Sequence, residues 1–311
     1  MRTLLVVNPF ATSTTPDLCE EIVELLGQKL DLTVKETVGA KHAERLASSA
    51  QTNGFELVLS FGGDGTLNEI ANGILQNSNF ETNPIIAAIP GGNANVFVRN
   101  IGWPKSPLEA CEQILNSVAH NSVKKIGVGR ATTNETSRYF LFNCGIGLDA
   151  AVLARMQDRR ISGKKATNLA YMGLAIRELL RHENRRNPAL EIIDSNGLSQ
   201  SKAHLALIVN LAPWTYLGEL PVALMPKATL DTALDIFGAK DLTIGGISRL
   251  IGKVLHPEVK NFDKSFITLS NQESATFMSP KELWVQVDGE VFGSSKGLKV
   301  DYFPTALNVL I

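Results

Sequence analysis

Residues 55–68 read FELVLSFGGDGTLN, and this stretch decides the fold of the first part of the chain. The apolar run up to Phe61 is typical of a parallel strand that is covered on both faces. The helical pattern after Thr66 has Ile70 and Ile74 on its apolar side. Glycines between strand and helix let the backbone turn sharply and approach a ligand closely. The amides at the helix start therefore predict a site for an anion such as phosphate.

A second glycine loop, Pro90-Gly91-Gly92-Asn93-Ala94-Asn95, follows the strand predicted over Ile85–Ile89. Two such loops at neighbouring strand ends form a crevice, which is the usual ligand site of an open α/β sheet. A tight turn without a ligand is the alternative for a single loop, and the pair favours binding. Asp64 in the first loop would repel phosphate unless Mg²⁺ lies between them.

Strands and helices alternate on both sides of these loops in the first third of the chain. Leu4–Val7 and Leu32–Glu36 are strand-like, and Lys41–Gln51 is a polar-faced helix. Thr15 and Pro16 open a further helix as cap and first residue. This order predicts a parallel sheet with helices on both sides.

The pattern changes after about residue 125. Helices are predicted over residues 149–157 and 167–181, and the rest is mostly strand-like, including a strand over Tyr139–Cys144. Asn196-Gly197 between two strand-like runs predicts a hairpin with a type I′ turn. The aromatic stretch Pro213–Gly218 predicts either a lining for an acyl chain or, more commonly for such residues, core packing. We therefore expect a largely antiparallel second domain.

Composition sets the limits for partners and compartment. The length of 311 residues suggests two domains, and the net charge of −1 disfavours a nucleic-acid binder. Three widely spaced cysteines predict reduced thiols in a cytoplasmic protein. No signal peptide and no apolar run of membrane-spanning length is recognisable.

Several other chemistries are disfavoured by missing motifs. Gly145–Ala150 fits the dinucleotide fingerprint, but no acidic residue follows at the spacing that ribose binding requires. The P-loop motif, the protein-kinase motifs and the G-x-S-x-G motif are absent from the sequence. The five histidines are scattered, without the spacing of zinc ligands.

The sequence resembles the diacylglycerol kinase catalytic domain family, which includes bacterial lipid kinases and, more distantly, sphingosine and ceramide kinases. GGDGT alone also occurs in NAD kinases, and the later motifs favour the lipid branch. The resemblance rests on Asn8-Pro9, GGDGTLNE at Gly62–Glu69, PGGNANVFVR at Pro90–Arg99, Gly145–Asp149, Ala228 with Asp231 and Leu234-Asp235, and VDGE at Val287–Glu290.

The resemblance implies an α/β ATP-binding domain of the NAD kinase/diacylglycerol kinase type over residues 1–128, to which residues from about 303 to 311 return. It also implies a β-sandwich domain for the lipid over residues 129–302, with ATP and lipid meeting between the two. The residues that it places at ATP are Thr37, Gly62, Gly63, Asp64, Gly65, Thr66, Leu67, Asn68 and Asn93. Val96 stands where the family has an aspartate, so a role of that acid is lost here.

The resemblance further implies a Mg²⁺ site and a proton acceptor. The metal would be held by the carboxylate of Asp231 and the carbonyls of Ala228 and Ala233, an oxygen-only set that suits Mg²⁺. Thr232 replaces the family's glycine, which predicts a turn that is either strained or differently shaped. The sequence alone predicts that Asp231 is an ordinary acidic residue in a turn between strands.

Glu290 is the position that the family marks as proton acceptor. It ends the strand-like run Leu283–Val287 through the dipeptide Asp288-Gly289, which by itself predicts a hairpin turn.

The expected function is ATP- and Mg²⁺-dependent phosphorylation of diacylglycerol or a similar neutral lipid to a phosphatidic-acid-type product, with Glu290 and Asp64 as catalytic groups. The alternatives are a kinase for a sphingoid base, another lipid alcohol or a dinucleotide, and a nucleotide or lipid sensor without activity.

The segment 155–186 has nine basic and three acidic residues and predicts either docking to an anionic membrane or a solvated surface. Exposed edge strands in the second domain are compatible with a homodimer.

Overall fold

The chain divides into two units in the computed structural model. The first consists of Met1–Val128 and Pro304–Ile311, and the second of Gly129–Phe303. The structure describes residues 1–76, 80–134, 136–147, 150, 188–200, 202–217, 219–255 and 264–311. The helices predicted over residues 149–157 and 167–181 lie outside these ranges, as does the basic segment 155–186.

The first unit is the predicted parallel sheet with its connecting helices. Its strands lie in the order β4-β3-β1-β2, and all three pairings are parallel. Every residue of β3 is buried, as expected for a strand covered on both faces. In chain order the elements are β1 (Arg2–Val7), α1 (Pro16–Gly27), β2 (Asp31–Glu36), α2 (His42–Ser48), β3 (Leu57–Gly62), α3 (Asp64–Leu75), β4 (Ile85–Pro90), α4 (Val96–Asn100), α5 (Pro107–Ala119) and the start of β5 (Val123–Thr132).

Helix α1 begins as the sequence predicts. Pro16 is its first residue, and the Thr15 hydroxyl accepts a hydrogen bond from the Leu18 amide at 3.4 Å. Ile22 and Leu26 form its buried stripe. Local capping and i+4 spacing are therefore sufficient to place this helix.

The last strand of the chain completes the first unit. Val309 of β15 (Glu290–Leu310) pairs in parallel with Ile86 of β4. The Ile311 amide donates to the Ser122 carbonyl at 3.0 Å, and the Ser117 hydroxyl donates to the Ile311 carbonyl at 2.8 Å. Both the amide and the carbonyl of Ile311 are therefore hydrogen-bonded to the first unit.

The second unit is built on antiparallel pairs in the order β13-β12-β9-β7-β14-β15. Alternate residues of β9 supply two apolar clusters: Ala206 and Ile208 enter one, and Leu205 and Leu207 enter the other. The further elements are β6 (Ser137–Phe140), β7 (Asn143–Gly147), β8 (Glu191–Ile193), β9 (Leu205–Val209), β10 (Thr215–Leu217), β11 (Leu220–Val222), β12 (Leu234–Ala239), α6 (Ile244–Leu255), β13 (Phe266–Gln272) and β14 (Ser274–Val287).

Three details differ from the sequence predictions. Helix α6 was not expected among the strands, although Ile247 and Leu250 pack its apolar side on the second cluster. The single strand expected over Tyr139–Cys144 is split into β6 and β7. The Asn196-Gly197 hairpin is present, but of the pair only Gly197 has a positive φ, 76°.

The hairpin turn differs because its loop is one residue longer than a type I′ turn. The Gly197 amide donates to the Asp194 carbonyl, and the Asp194 amide donates to the Leu198 carbonyl. This is the pattern of a three-residue loop that ends in a left-handed glycine.

None of the helices in the described part of the chain has the length and apolar character needed to cross a bilayer.

Candidate active site

The two glycine loops of the first unit lie backbone to backbone. The Gly91 amide donates to the Gly62 carbonyl at 2.8 Å, which continues the β3–β4 pairing into the loops. A Cβ on Gly92 would lie 2.7 Å from the Gly63 Cα, closer than real Cβ atoms come. Glycine is therefore required at position 92 by the approach of the loops themselves.

The first turn of α3 has no side-chain cap. Its cap residue, Gly63, has no side-chain acceptor, and the amides of Thr66 and Leu67 donate to the Gly63 carbonyl. The Asn8 side chain donates to the Thr66 hydroxyl at 3.0 Å, so the early Asn8-Pro9 motif fixes this loop. Uncapped first amides of a helix bind phosphate well.

Asp64 connects the first loop to the second. Its carboxylate oxygens accept hydrogen bonds from the amides of Val96 at 3.0 Å and Phe97 at 3.1 Å, at the start of α4. Burial raises the pKa of Asp64, against the lowering effect of these backbone donors. The geometry gives Asp64 a bracing role, and its predicted role at a metal stays a prediction.

Glu69 performs a similar function that the sequence reasoning missed, although the motif GGDGTLNE includes it. Its carboxylate accepts from the amides of Lys41 at 2.7 Å and Ala43 at 3.1 Å, at the start of α2. This fixes the segment that follows Thr37, whose own amide donates to the Val7 carbonyl at 2.8 Å. The predicted nucleotide residue Thr37 is buried.

The two asparagines predicted at the nucleotide differ in exposure. Asn68 is buried within α3, and its side-chain oxygen accepts a hydrogen bond from the side-chain amide of Asn72 at 3.1 Å. Asn93 is exposed in the second loop. That loop is shaped by Asn95, another residue missed from sequence, which is left-handed at φ 44° and bonds to both the amide and the carbonyl of Gly92.

In the second unit Asp288-Gly289 forms the predicted hairpin turn between β14 and β15. Both residues have positive φ, 47° and 80°, as a type I′ turn requires. The buried Asp288 carboxylate accepts from the amides of Leu141 at 2.7 Å, Phe142 at 2.9 Å and Asn143 at 2.9 Å. Burial raises the pKa of Asp288 to about 6 despite these donors.

Asp288 also explains why the strand expected over residues 139–144 is interrupted. The amides between β6 and β7 point to its carboxylate instead of to a neighbouring strand. A contact between residues almost 150 positions apart is invisible to local pattern.

Glu290, the predicted proton acceptor, is the first residue of β15. One of its carboxylate oxygens lies 2.9 Å from the Arg138 guanidinium. The Glu290 side chain is 49% exposed and the Arg138 side chain 17%. The acid is therefore held by a fixed cation while remaining open to a reactant.

The loop of the predicted Mg²⁺ site is ordered by its own hydroxyl groups. The Thr232 hydroxyl accepts from the Thr229 amide at 3.0 Å and donates to the Thr229 carbonyl at 3.1 Å. Thr232 is not among the residues with positive φ, so its replacement of glycine causes no backbone strain. Asp231 is exposed in this loop.

The oxygen atoms that this loop offers are of the type that binds Mg²⁺. Asp231 offers a carboxylate, and the Ala228 carbonyl keeps a lone pair although it accepts from the Ala212 amide at 3.1 Å. The Ala233 amide donates to the Asn271 side chain at 3.1 Å, and the role of the Ala233 carbonyl as a ligand stays a prediction. Within the described ranges no three His, Cys, Asp or Glu side chains cluster as a metal site.

Asp235, the second acid of this motif, has a structural function. It is buried and accepts from the Asn271 amide at 2.9 Å. Burial raises its pKa above the usual value.

Two adjacent glycine loops at the strand ends of an open parallel sheet form a crevice of the kind that binds nucleotides. Residues 2–130 match the family model described as the diacylglycerol kinase catalytic domain. This match confirms, for residues 2–130, the kinase domain that the motifs predict.

Relatives and solved structures agree with this result. A Staphylococcus haemolyticus protein with a lipid-kinase name is 25% identical over 290 residues, covering 87% of this chain and 81% of that protein. The diacylglycerol kinase of Bacillus subtilis is 33% identical over 112 residues, which cover 36% of this chain and 33% of that enzyme.

The crystal structure of a Bacillus anthracis protein with a diacylglycerol-kinase name has a TM-score of 0.76 and 25% identity, with 99% of this chain and 96% of that chain covered. An NAD kinase from Archaeoglobus fulgidus, solved with ATP, has a TM-score of 0.55 and 11% identity and shares the fold, with 100% and 94% covered.

Proposed function

We propose that the protein transfers the γ-phosphoryl group of ATP to the hydroxyl of diacylglycerol or a similar neutral lipid, giving a phosphatidic-acid-type product. The observation that carries the proposal is the pair of interlocked glycine loops within the diacylglycerol kinase domain. Phosphoryl transfer depends mainly on positioning and on neutralising charge. Loop amides that face an anion supply both.

In this mechanism the glycine loops of the first unit bind the phosphates, and Glu290 accepts a proton. The amides at the start of α3 hold the phosphates, and Asp64 and Asn8 hold those loops in place. Glu290 accepts the proton of the lipid hydroxyl as the hydroxyl oxygen bonds to phosphorus and ADP leaves. An exposed carboxylate at the end of a strand can come within hydrogen-bond reach of such a substrate.

Asp231, with the carbonyls of Ala228 and Ala233, would hold Mg²⁺. When bound, the ion would neutralise phosphate charge in the enzyme–ATP complex. The hydrogen bonds between Thr229 and Thr232 order the loop that carries this set, which supports the proposal.

The lipid substrate also suggests contact with a bilayer. The basic segment 155–186 would attract the protein to an anionic leaflet, at about 1 kcal/mol for each basic residue near the surface. We therefore propose that the protein is cytoplasmic and binds peripherally to the inner face of the membrane.

The test is transfer of labelled phosphate from Mg-ATP to a panel of lipid alcohols, presented in vesicles with and without anionic lipid. Diacylglycerol should be labelled, and more rapidly on anionic vesicles. Glu290→Gln should lower kcat by a factor on the order of 10²–10⁴, whereas Glu273→Gln, an exposed acid, should not.

Labelling of a sphingoid base instead would identify another acceptor. Absence of any ATP turnover would support a sensor, and a normal kcat for Glu290→Gln would remove that residue from the mechanism.

A further inference from the structure

Arg138 lies in an unusual position for a surface-strand arginine. It is on β6, opposite Ala131 of β5, and Ala131 is fully buried in the first apolar cluster of the second unit. The Arg138 side chain is only 17% exposed, and its guanidinium meets one carboxylate oxygen of Glu290 at 2.9 Å. An arginine held in this way keeps few alternative rotamers, so it fixes the partner it contacts.

Asp288 connects the turn that carries Glu290 to the strand that carries Arg138 by hydrogen bonds to backbone amides. Its carboxylate accepts from the amides of Leu141 and Phe142, which directly follow β6. Its own amide donates to the Asn143 carbonyl at 2.8 Å. The strand that carries Arg138 and the turn that carries Glu290 are thus fastened together by one buried side chain.

A further pair of bonds secures the turn. The Gln286 side chain donates to the Asn143 side chain at 2.6 Å and accepts from the Gly289 amide at 2.9 Å. Gln286 is almost fully buried. This network leaves little freedom for the backbone that places the Glu290 side chain.

We propose that Arg138 is a positioning residue for Glu290: its guanidinium holds one carboxylate oxygen so that the other meets the hydroxyl of the acceptor. The inference rests on the proposed role of Glu290 as proton acceptor. Contact at a single oxygen orients the carboxylate, and the half-exposed side chain leaves the second oxygen within reach of substrate.

The first test compares Arg138→Ala, Arg138→Lys and Arg138→Gln in the full chain. Loss of orientation should lower kcat on the order of 10- to 100-fold with little change in the KM for ATP. Lysine should restore part of the rate. Added guanidinium ion should restore part of the rate of Arg138→Ala, because it can occupy the emptied place beside Glu290.

Arg130 provides the matched control. It is on the neighbouring strand of the same hairpin, where it stacks on Phe303 at 4.5 Å and pairs with Asp301 at 3.5 Å. Arg130→Ala removes the same charge from the same hairpin. It should retain kcat within about two-fold and show no guanidinium rescue.

The second test is a double-mutant cycle with Glu290→Gln. If Arg138 acts through Glu290, then Arg138→Gln causes no further loss of kcat in the Glu290→Gln background. Equal losses in both backgrounds, or absence of guanidinium rescue in a folded Arg138→Ala protein, would overturn the inference. A Glu290→Gln protein with normal kcat would instead overturn the proposed function, so the two failures are distinguishable.

Discussion

Asp288 shows how one residue can be correctly predicted and still have an unexpected function. The sequence predicts a turn at Asp288-Gly289, because this dipeptide tolerates the positive φ values of a type I′ turn. The burial of its carboxylate against three amides depends on a loop almost 150 positions earlier. The turn can be predicted because it depends only on adjacent residues. The burial of the carboxylate cannot be predicted in this way, because it depends on residues far away in the sequence.

The raised pKa of Asp288 predicts a specific pH dependence of stability. Its pKa of about 6 in the folded chain lies above the usual 3.8, so the folded protein binds this proton more tightly. The associated stabilisation of roughly 3 kcal/mol is complete below about pH 4 and is lost as the pH rises through about 6.

Urea unfolding of the wild type and of Asp288→Asn between pH 4 and 7 measures this effect. The free energy of unfolding of the wild type, relative to the variant, should fall as the pH rises across this range. Asp31→Asn, at an exposed position, should leave the pH profile of the wild type unchanged. A constant difference between wild type and Asp288→Asn would mean that the carboxylate does not titrate there.

At the level of elements, strands and helices of the first unit follow from sequence, because their signals are periodic and local. The predicted strand over residues 55–61 is β3 at Leu57–Gly62, and the predicted helix at Leu67–Leu75 is α3, which begins three residues earlier at Asp64. The caps of α2 and α4 were not predictable. Their acceptors, Glu69 and Asp64, lie 26–33 positions from the amides they bind.

The packing of the two glycine loops predicts the effect of a single methyl group. Gly92→Ala would place a Cβ 2.7 Å from the Gly63 Cα, and neither atom can move away by a side-chain rotation. Overpacking of this kind costs about 1–3 kcal/mol. We expect a lower free energy of unfolding in urea and weaker ATP binding by titration calorimetry.

Gly27→Ala is the control for this substitution, since nothing lies within 4 Å of the Cβ it would add. It should be neutral or stabilising. If Gly92→Ala matches Gly27→Ala in both measurements, the loops move apart more easily than the structure indicates.

Across the whole molecule the chain order and the folded units do not coincide. Residues Pro304–Ile311 belong to the first unit, although the preceding part of the same strand belongs to the second. The first unit therefore obtains a strand that is synthesised last. A composition argument finds two domains but cannot find this return, because the returning segment is too short to carry a domain signal.

This return predicts the result of a C-terminal truncation. Deleting residues 304–311 removes Leu307, Val309 and Leu310, which are at most 1% exposed, and burial of each such side chain is worth about 1.5–3 kcal/mol. Hydrogen exchange should then show lost protection in β1, β3 and β4, while β7, β9 and β12 of the second unit keep theirs. Lys299→Ala, an exposed change on the same strand, should leave both sets protected. Unchanged protection of β3 and β4 in the truncated chain would show that the first unit is stable without its last strand.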